Sequence, residues 1–113
     1  MALTLQKQTL NFVLDQGCTF SKVITAKDTA GANVTISSGT TAGKMRQSYH
    51  SSNNVHAFTT AIEGSNVTVS LTSTQTAAIS NGNYVYDVEY TQSGGDIERV
   101  VEGIITVSPE ATK

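Results

Sequence analysis

From Tyr84 to Val107 the chain reads as one antiparallel hairpin, and this stretch limits the fold more than any other. Tyr84, Tyr86, Val88 and Tyr90 alternate with Val85, Asp87, Glu89 and Thr91. That period of two is the signature of a strand buried on one face. The segment Gln92-Ser93-Gly94-Gly95-Asp96 then reverses the chain, because glycine accepts a positive φ without a Cβ clash. A second apolar run, Ile97 to Val107, returns and stops at Pro109, which cannot donate to a sheet ladder. A chain committed to such a hairpin needs further strands to cover its buried face.

The remaining sequence supplies them. Period-two or short apolar segments fall at Leu3–Lys7, Asn11–Asp15, Cys18–Thr25, Val34–Ile36, Lys44–Tyr49, Val55–Ile62 and Val67–Leu71. Turn chemistry separates them at Gln16-Gly17, at Asp28 to Asn33, at Ser37 to Thr41, at Ser51 to Asn54 and at Glu63 to Asn66. One stretch breaks the pattern. Thr72 stands three residues before Gln75, a capping-box spacing, and Ala77, Ala78 and Ile79 favour one helical turn, ended by Asn81-Gly82. A helical turn, a glycine and then Tyr84 near the start of a strand match the tyrosine corner of immunoglobulin-like sandwiches. The cysteine that follows in antibody domains is replaced by Tyr86. The expected fold is all-β: an immunoglobulin-like β-sandwich with one short helical turn near 72–79, with a jelly roll or small barrel as the alternative. Residues 1–113 are expected to form a single domain. The expected core is Phe20, Ile24, Phe58, Ile62, Val69, Leu71, Ile79, Tyr84, Tyr86, Val88, Val101 and Ile105.

Charged residues are only 14% of the chain, against about 25% in typical domains. Ser and Thr, about a quarter of the residues, take their place. This suits pleated strands on a larger assembly rather than a highly charged solvated monomer. The net charge of −2 and the scattered cations argue against nucleic-acid binding. The start Met1-Ala2-Leu3-Thr4 has no charged, apolar leader pattern, so no secretory passage is expected, and no segment is apolar enough to cross a membrane as a helix. Asn33-Val34-Thr35 and Asn66-Val67-Thr68 match the glycosylation acceptor pattern, which has no consequence without secretion.

Chemistry-bearing residues are sparse. The lone Cys18 excludes an internal disulfide and is expected to be an inert, buried thiol. His50 and His56 flank a polar tip without the companions a zinc site needs, and both are expected to be exposed. Asp28 and Asn33 lack the dense carboxylates of a calcium loop. Asp87, Glu89, Glu98 and Glu102 could in principle share acid–base work, but alternating acids usually form the solvated side of a sheet, and Arg99 is placed to pair with Asp87 or Glu89. No enzymatic activity, cofactor or metal is expected.

Three blocks carry a resemblance. They are Gly43 to Tyr49; Val67 to Thr72 with Thr76 to Ile79; and Gly82 to Glu89 with Arg99 to Thr112. The last reads as a Tyr-x-Tyr-Asp strand followed by a Gly-x-Ile-x-Val-x-Pro-x-x-Thr close. Together they cover about the last two thirds of the chain. This resembles a module of tailed-bacteriophage virion proteins, seen in small structural proteins such as those of cyanophages and at the N-terminus of baseplate and fibre proteins. The resemblance implies a non-enzymatic virion structural protein, assembled in the host cytoplasm. It further implies partners among other virion proteins, the major capsid protein or the tail and neck proteins, and self-association. Because the chain stops at Lys113 where longer relatives continue, a small capsid decoration or cement protein is the leading expectation. A neck, baseplate or fibre-attachment subunit is the alternative. A carbohydrate- or surface-binding module is a second alternative, weakened by the absence of Trp.

The contact surface is expected on the returning strand. With Ile97, Val101, Ile105 and Val107 on one face, Val100 and Ile104 fall on the other, too apolar for solvent. Val100, Ile104 and the tail Ser108, Pro109, Glu110, Ala111, Thr112 and Lys113 are therefore the expected protein-interaction residues.

Overall fold

The computed structural model describes residues 5–36, 38–48 and 55–109. Its elements in chain order are β1 (Gln8–Thr9), β2 (Phe12–Asp15), β3 (Phe20–Thr25), β4 (Thr40–Arg46), β5 (His56–Ala57), β6 (Thr59–Glu63), β7 (Asn66–Leu71), α1 (Ser73–Ala77), β8 (Gly82–Thr91) and β9 (Ile97–Ser108). The larger sheet runs β1–β9–β8–β4–β5, with β2 continuing from β1 along the same edge of β9, and the smaller runs β3–β7–β6. The two pack face to face as an immunoglobulin-like β-sandwich.

The hairpin that dominates the sequence is its backbone. Strands β8 and β9 pair antiparallel from Gly82–Val107 to Thr91–Ile97, and Gly95 closes the turn at φ +97°. Tyr84, Tyr86, Val88 and Tyr90 all point inward and are buried. The predicted corner is present as well. The Thr72 side chain accepts from the Gln75 N–H, the Gln75 side chain accepts from the Thr72 N–H, and Tyr84 Oη donates to the Ser80 carbonyl at 2.8 Å. Every residue of the expected core is buried except Ile62, which packs half-buried against it. Phe12, Phe20, Phe58 and Tyr86 form a run of ring contacts at 5.7–6.2 Å between the sheets.

Several expectations need correction. The first strand was expected at 3–7. Leu3 and Thr4 lie outside the described residues. Leu5 is buried but outside any strand, the Gln6 N–H donates to the Lys27 carbonyl beside β3, and among the described residues sheet pairing starts at Gln8. The strand then runs parallel to β9, a partner more than ninety positions away that local alternation cannot reveal. Val55–Ile62 is not one strand. Its Ala57-Phe58-Thr59 step changes sheets, so β5 joins β4 and β6 joins β7. Thr40 and Thr41 lie in β4 rather than in a loop, and Val34 and Ile36 are buried without forming a strand. Cys18 is exposed, not a core thiol, because it sits in the turn after β2 where its N–H donates to the Asp15 carbonyl.

The largest correction concerns β9. Val88 pairs with Val101 but Glu89 pairs with Arg99, so Val100 is an extra residue, a β-bulge. The bulge inverts the alternation. Val100 and Val101 both turn inward and are buried, while Ile97 is 60% exposed.

Candidate interaction surface

Strand registers lay out the outer face of the larger sheet. Asn11, Ile104, Val85 and Arg46 lie across one row, and Thr9, Glu102, Asp87 and Lys44 across the next. Val13, Thr106 and Asn83 form the row on the other side of Ile104. Ile104 is 47% exposed and Val13 62% exposed. They lie diagonally on neighbouring strands, within reach of one another on one face. Half-buried Val85 sits directly across from Ile104, so an apolar patch spans β2, β9 and β8.

Charge occupies the adjoining rows. Arg99 lies 2.9 Å from Glu102, 3.6 Å from Asp87 and 4.0 Å from Glu89, and Lys7 reaches Glu102 at 3.2 Å. The Arg99 hydrogen bond, reinforced by Lys7, holds the Glu102 carboxyl below its usual range. A general acid needs the opposite shift. The same pairing raises the Arg99 pKa further, the hydrogen bond to Glu102 being the chief cause. Next to this network an open depression of about 600 Å³ is lined by Ala42, Lys44, Arg46, Val85, Asp87 and Glu89, among others. It holds cations and carboxylates, and the one hydroxyl-bearing residue in its lining, Tyr86, donates its Oη to the Leu10 carbonyl.

Of the interaction residues expected from sequence, Ile104 is where it was expected. Val100 is not, since the bulge takes it into the core. Ser108 is half-buried opposite Asp15, and Pro109 is exposed. Glu110, Ala111, Thr112 and Lys113 lie outside the described residues. Val13 was missed. The signal was present, in its position between inward-facing Phe12 and Leu14, but its significance depended on knowing that β2 borders β9.

The other candidates resolve as follows. Asp28 Oδ1 accepts from the Ala30 and Ala32 N–H groups and closes a turn. Among the described residues no three His, Cys, Asp or Glu side chains gather as metal ligands, and no helix is long and apolar enough to cross a membrane. His50 lies outside the described residues. His56, expected to be exposed, is half-buried with its ring edge-on to Tyr84 at 6.1 Å, and its buried Nε2 has no hydrogen-bond partner among the described residues. Burial lowers its pKa below the ordinary histidine value.

No protein-family model matches the chain, and no curated protein matches it. Among solved structures, an internalin-like protein of Listeria monocytogenes is similar with a TM-score of 0.49 and 15% identity, over 91% of this chain and 29% of that one. A chain of the titin M10–obscurin-like 1 Ig complex is similar with a TM-score of 0.47 and 12% identity, over 97% of this chain and 94% of that one. A 2,6-sialyltransferase of Photobacterium is similar with a TM-score of 0.42 and 9% identity, over 96% of this chain and 19% of that one. This chain therefore spans under a third of the internalin-like protein.

Proposed function

We propose that this chain is a non-enzymatic structural protein of a tailed-bacteriophage virion, acting as a capsid decoration or cement subunit that binds other virion proteins through the outer face of its larger sheet. One observation carries the reading. Of the blocks that carry the resemblance to phage virion modules, the described parts of the first and third, within Gly43–Tyr49 and Gly82–Glu89 with Arg99–Thr112, fall on or beside β4, β8 and β9, three adjacent strands of one sheet, while Val67–Thr72 with Thr76–Ile79 falls on β7 and around α1. Within the Gly-x-Ile-x-Val close, Ile105 and Val107 are buried and Ile104, between Gly103 and Ile105, points outward. The fixed letters of the motif thus build the fold, and the open positions form the surface that would distinguish one partner from another. The ion-paired carboxylates beside this surface favour binding over chemistry. A neck, baseplate or fibre-attachment subunit is the second reading, supported by the same blocks. The test is quantitative mass spectrometry of purified virions. Copies comparable in number to the major capsid protein support decoration, and a few per particle support the second reading. A chain absent from virions overturns both.

A further inference from the structure

We infer that β2 is a self-complementary edge strand, through which two copies of this chain pair antiparallel about a two-fold axis at Val13 and join their larger sheets into one. No described strand lies beyond β2 in its sheet. The Leu10 N–H donates to the Glu102 carbonyl and the Gln16 N–H to the Ser108 carbonyl, so the even-numbered residues of this edge turn their main-chain groups toward β9. In a parallel ladder the intervening residues then point theirs the other way. The main-chain groups of Asn11, Val13 and Asp15 are therefore presented outward, apart from the Asp15 carbonyl, which accepts from Cys18 N–H. Unpaired edges of this kind recruit other strands.

The choice of a second copy comes from the sequence of the edge. A two-fold at Val13 sets Val13 against Val13 and Asn11 against Asp15. Val13 is 62% exposed, so the pairing sets the most exposed apolar side chain of the edge against its own copy and covers one flank of each. Asn11 uses its Oδ1 to accept from the Ile104 N–H, which leaves its NH2 group to donate to the Asp15 carboxylate of the other copy. In this register Asn11 and Asp15 meet as complements, and no like charges are opposed. The outward apolar patch of Val13 and Ile104 then becomes continuous across both copies. The inference rests on the β2 edge and stands whether or not the virion reading does.

The test uses the full chain. At a hydrogen-bonded antiparallel pair the Cα atoms are about 5.5 Å apart, inside the roughly 4.4–6.8 Å that a disulfide spans. Val13→Cys, with Cys18→Ser removing the exposed native thiol, is compared with Val23→Cys in the same background. Val23 is equally exposed, at 62%, but lies on the other sheet. Expected are a chain that sediments as a dimer, Val13→Lys that sediments as a monomer with an unchanged circular dichroism spectrum, and disulfide dimers of Val13→Cys forming about tenfold or more faster than those of Val23→Cys, as proximity requires. The cross-link reads the contact even if Val13→Lys disturbs folding. Equal cross-linking at both positions, or a chain that stays monomeric at high concentration, overturns the inference. So does a monomer whose Val13→Lys variant loses binding to another virion protein, since the edge would then serve a foreign strand.

Discussion

Two regions of this sandwich, joined by one turn, treat their polar groups in opposite ways. At the corner between β7 and β8 nearly everything is satisfied internally. Thr76, fully buried, donates to the Cys18 carbonyl at 2.8 Å and accepts from the Gly17 N–H at 3.1 Å. Gln16 Nε2 donates to the Ile79 carbonyl at 2.9 Å, and Tyr84 closes the corner on Ser80. A few residues away, β2 is a short strand bonded, among the described residues, on one side only, with an exposed valine near its centre. Buried polar groups without partners are costly, so the corner is built for stability. An edge left open beside an apolar patch is built for contact. Substitutions in the two regions should therefore differ in kind.

The largest effect is expected where the edge strand meets the core. Gly103 faces the Leu10 main chain so closely that a Cβ would overlap the Leu10 carbonyl, the same carbonyl that accepts from Tyr86 Oη at 2.6 Å. Gly103→Ala should cost about 1–3 kcal/mol in chemical denaturation. It should also loosen β1 and β2 from β9 while the corner holds, visible as faster amide exchange confined to Leu10–Asp15. At the corner, Tyr84→Phe should cost about 1 kcal/mol, the share of one buried hydrogen bond, without changing association. If Tyr84→Phe were as stable as the parent, the corner would be ornamental and the contrast would fail.

These two sites also show what the sequence could and could not reveal. The corner was legible because its signals are local. Thr72, Gln75, Gly82 and Tyr84 lie within thirteen positions and follow capping and turn rules. The hairpin was legible for the same reason. The edge was not, because β2 pairs with a strand from the far end of the chain, and parallel pairing leaves no turn signal between partners. Val100 was misplaced because a bulge inserts one residue, and the inside–outside phase read on Val101, Ile105 and Val107 does not carry across it: Val100 turns inward and Ile97 outward. Ile104 was placed correctly because it lies beyond the bulge, where it alternates regularly with buried Ile105 and Val107. Cys18 was misplaced because a small residue in a turn resembles a small residue in a core when only composition is read.

A smaller effect comes from His56, packed against Tyr84 near the corner. Its folded pKa lies below the unfolded value of about 6.5. The neutral ring is therefore the form the fold favours. Its contribution to stability is complete above that value and is lost as the pH falls through the lowered folded pKa. Thermal melts should show the chain losing stability on acidification from pH 7 toward 5, with His56→Phe losing less. Equal losses in both would remove His56 from the account, though not the contrast between corner and edge.

That contrast is tested most directly by amide hydrogen exchange followed as a function of protein concentration. The account predicts that the Val13 and Asp15 amides exchange quickly in dilute solution and become protected as concentration rises, while amides at the corner, from Thr76 to Tyr84, keep the same rates throughout. Val13 and Asp15 amides that exchange quickly at every concentration would contradict it.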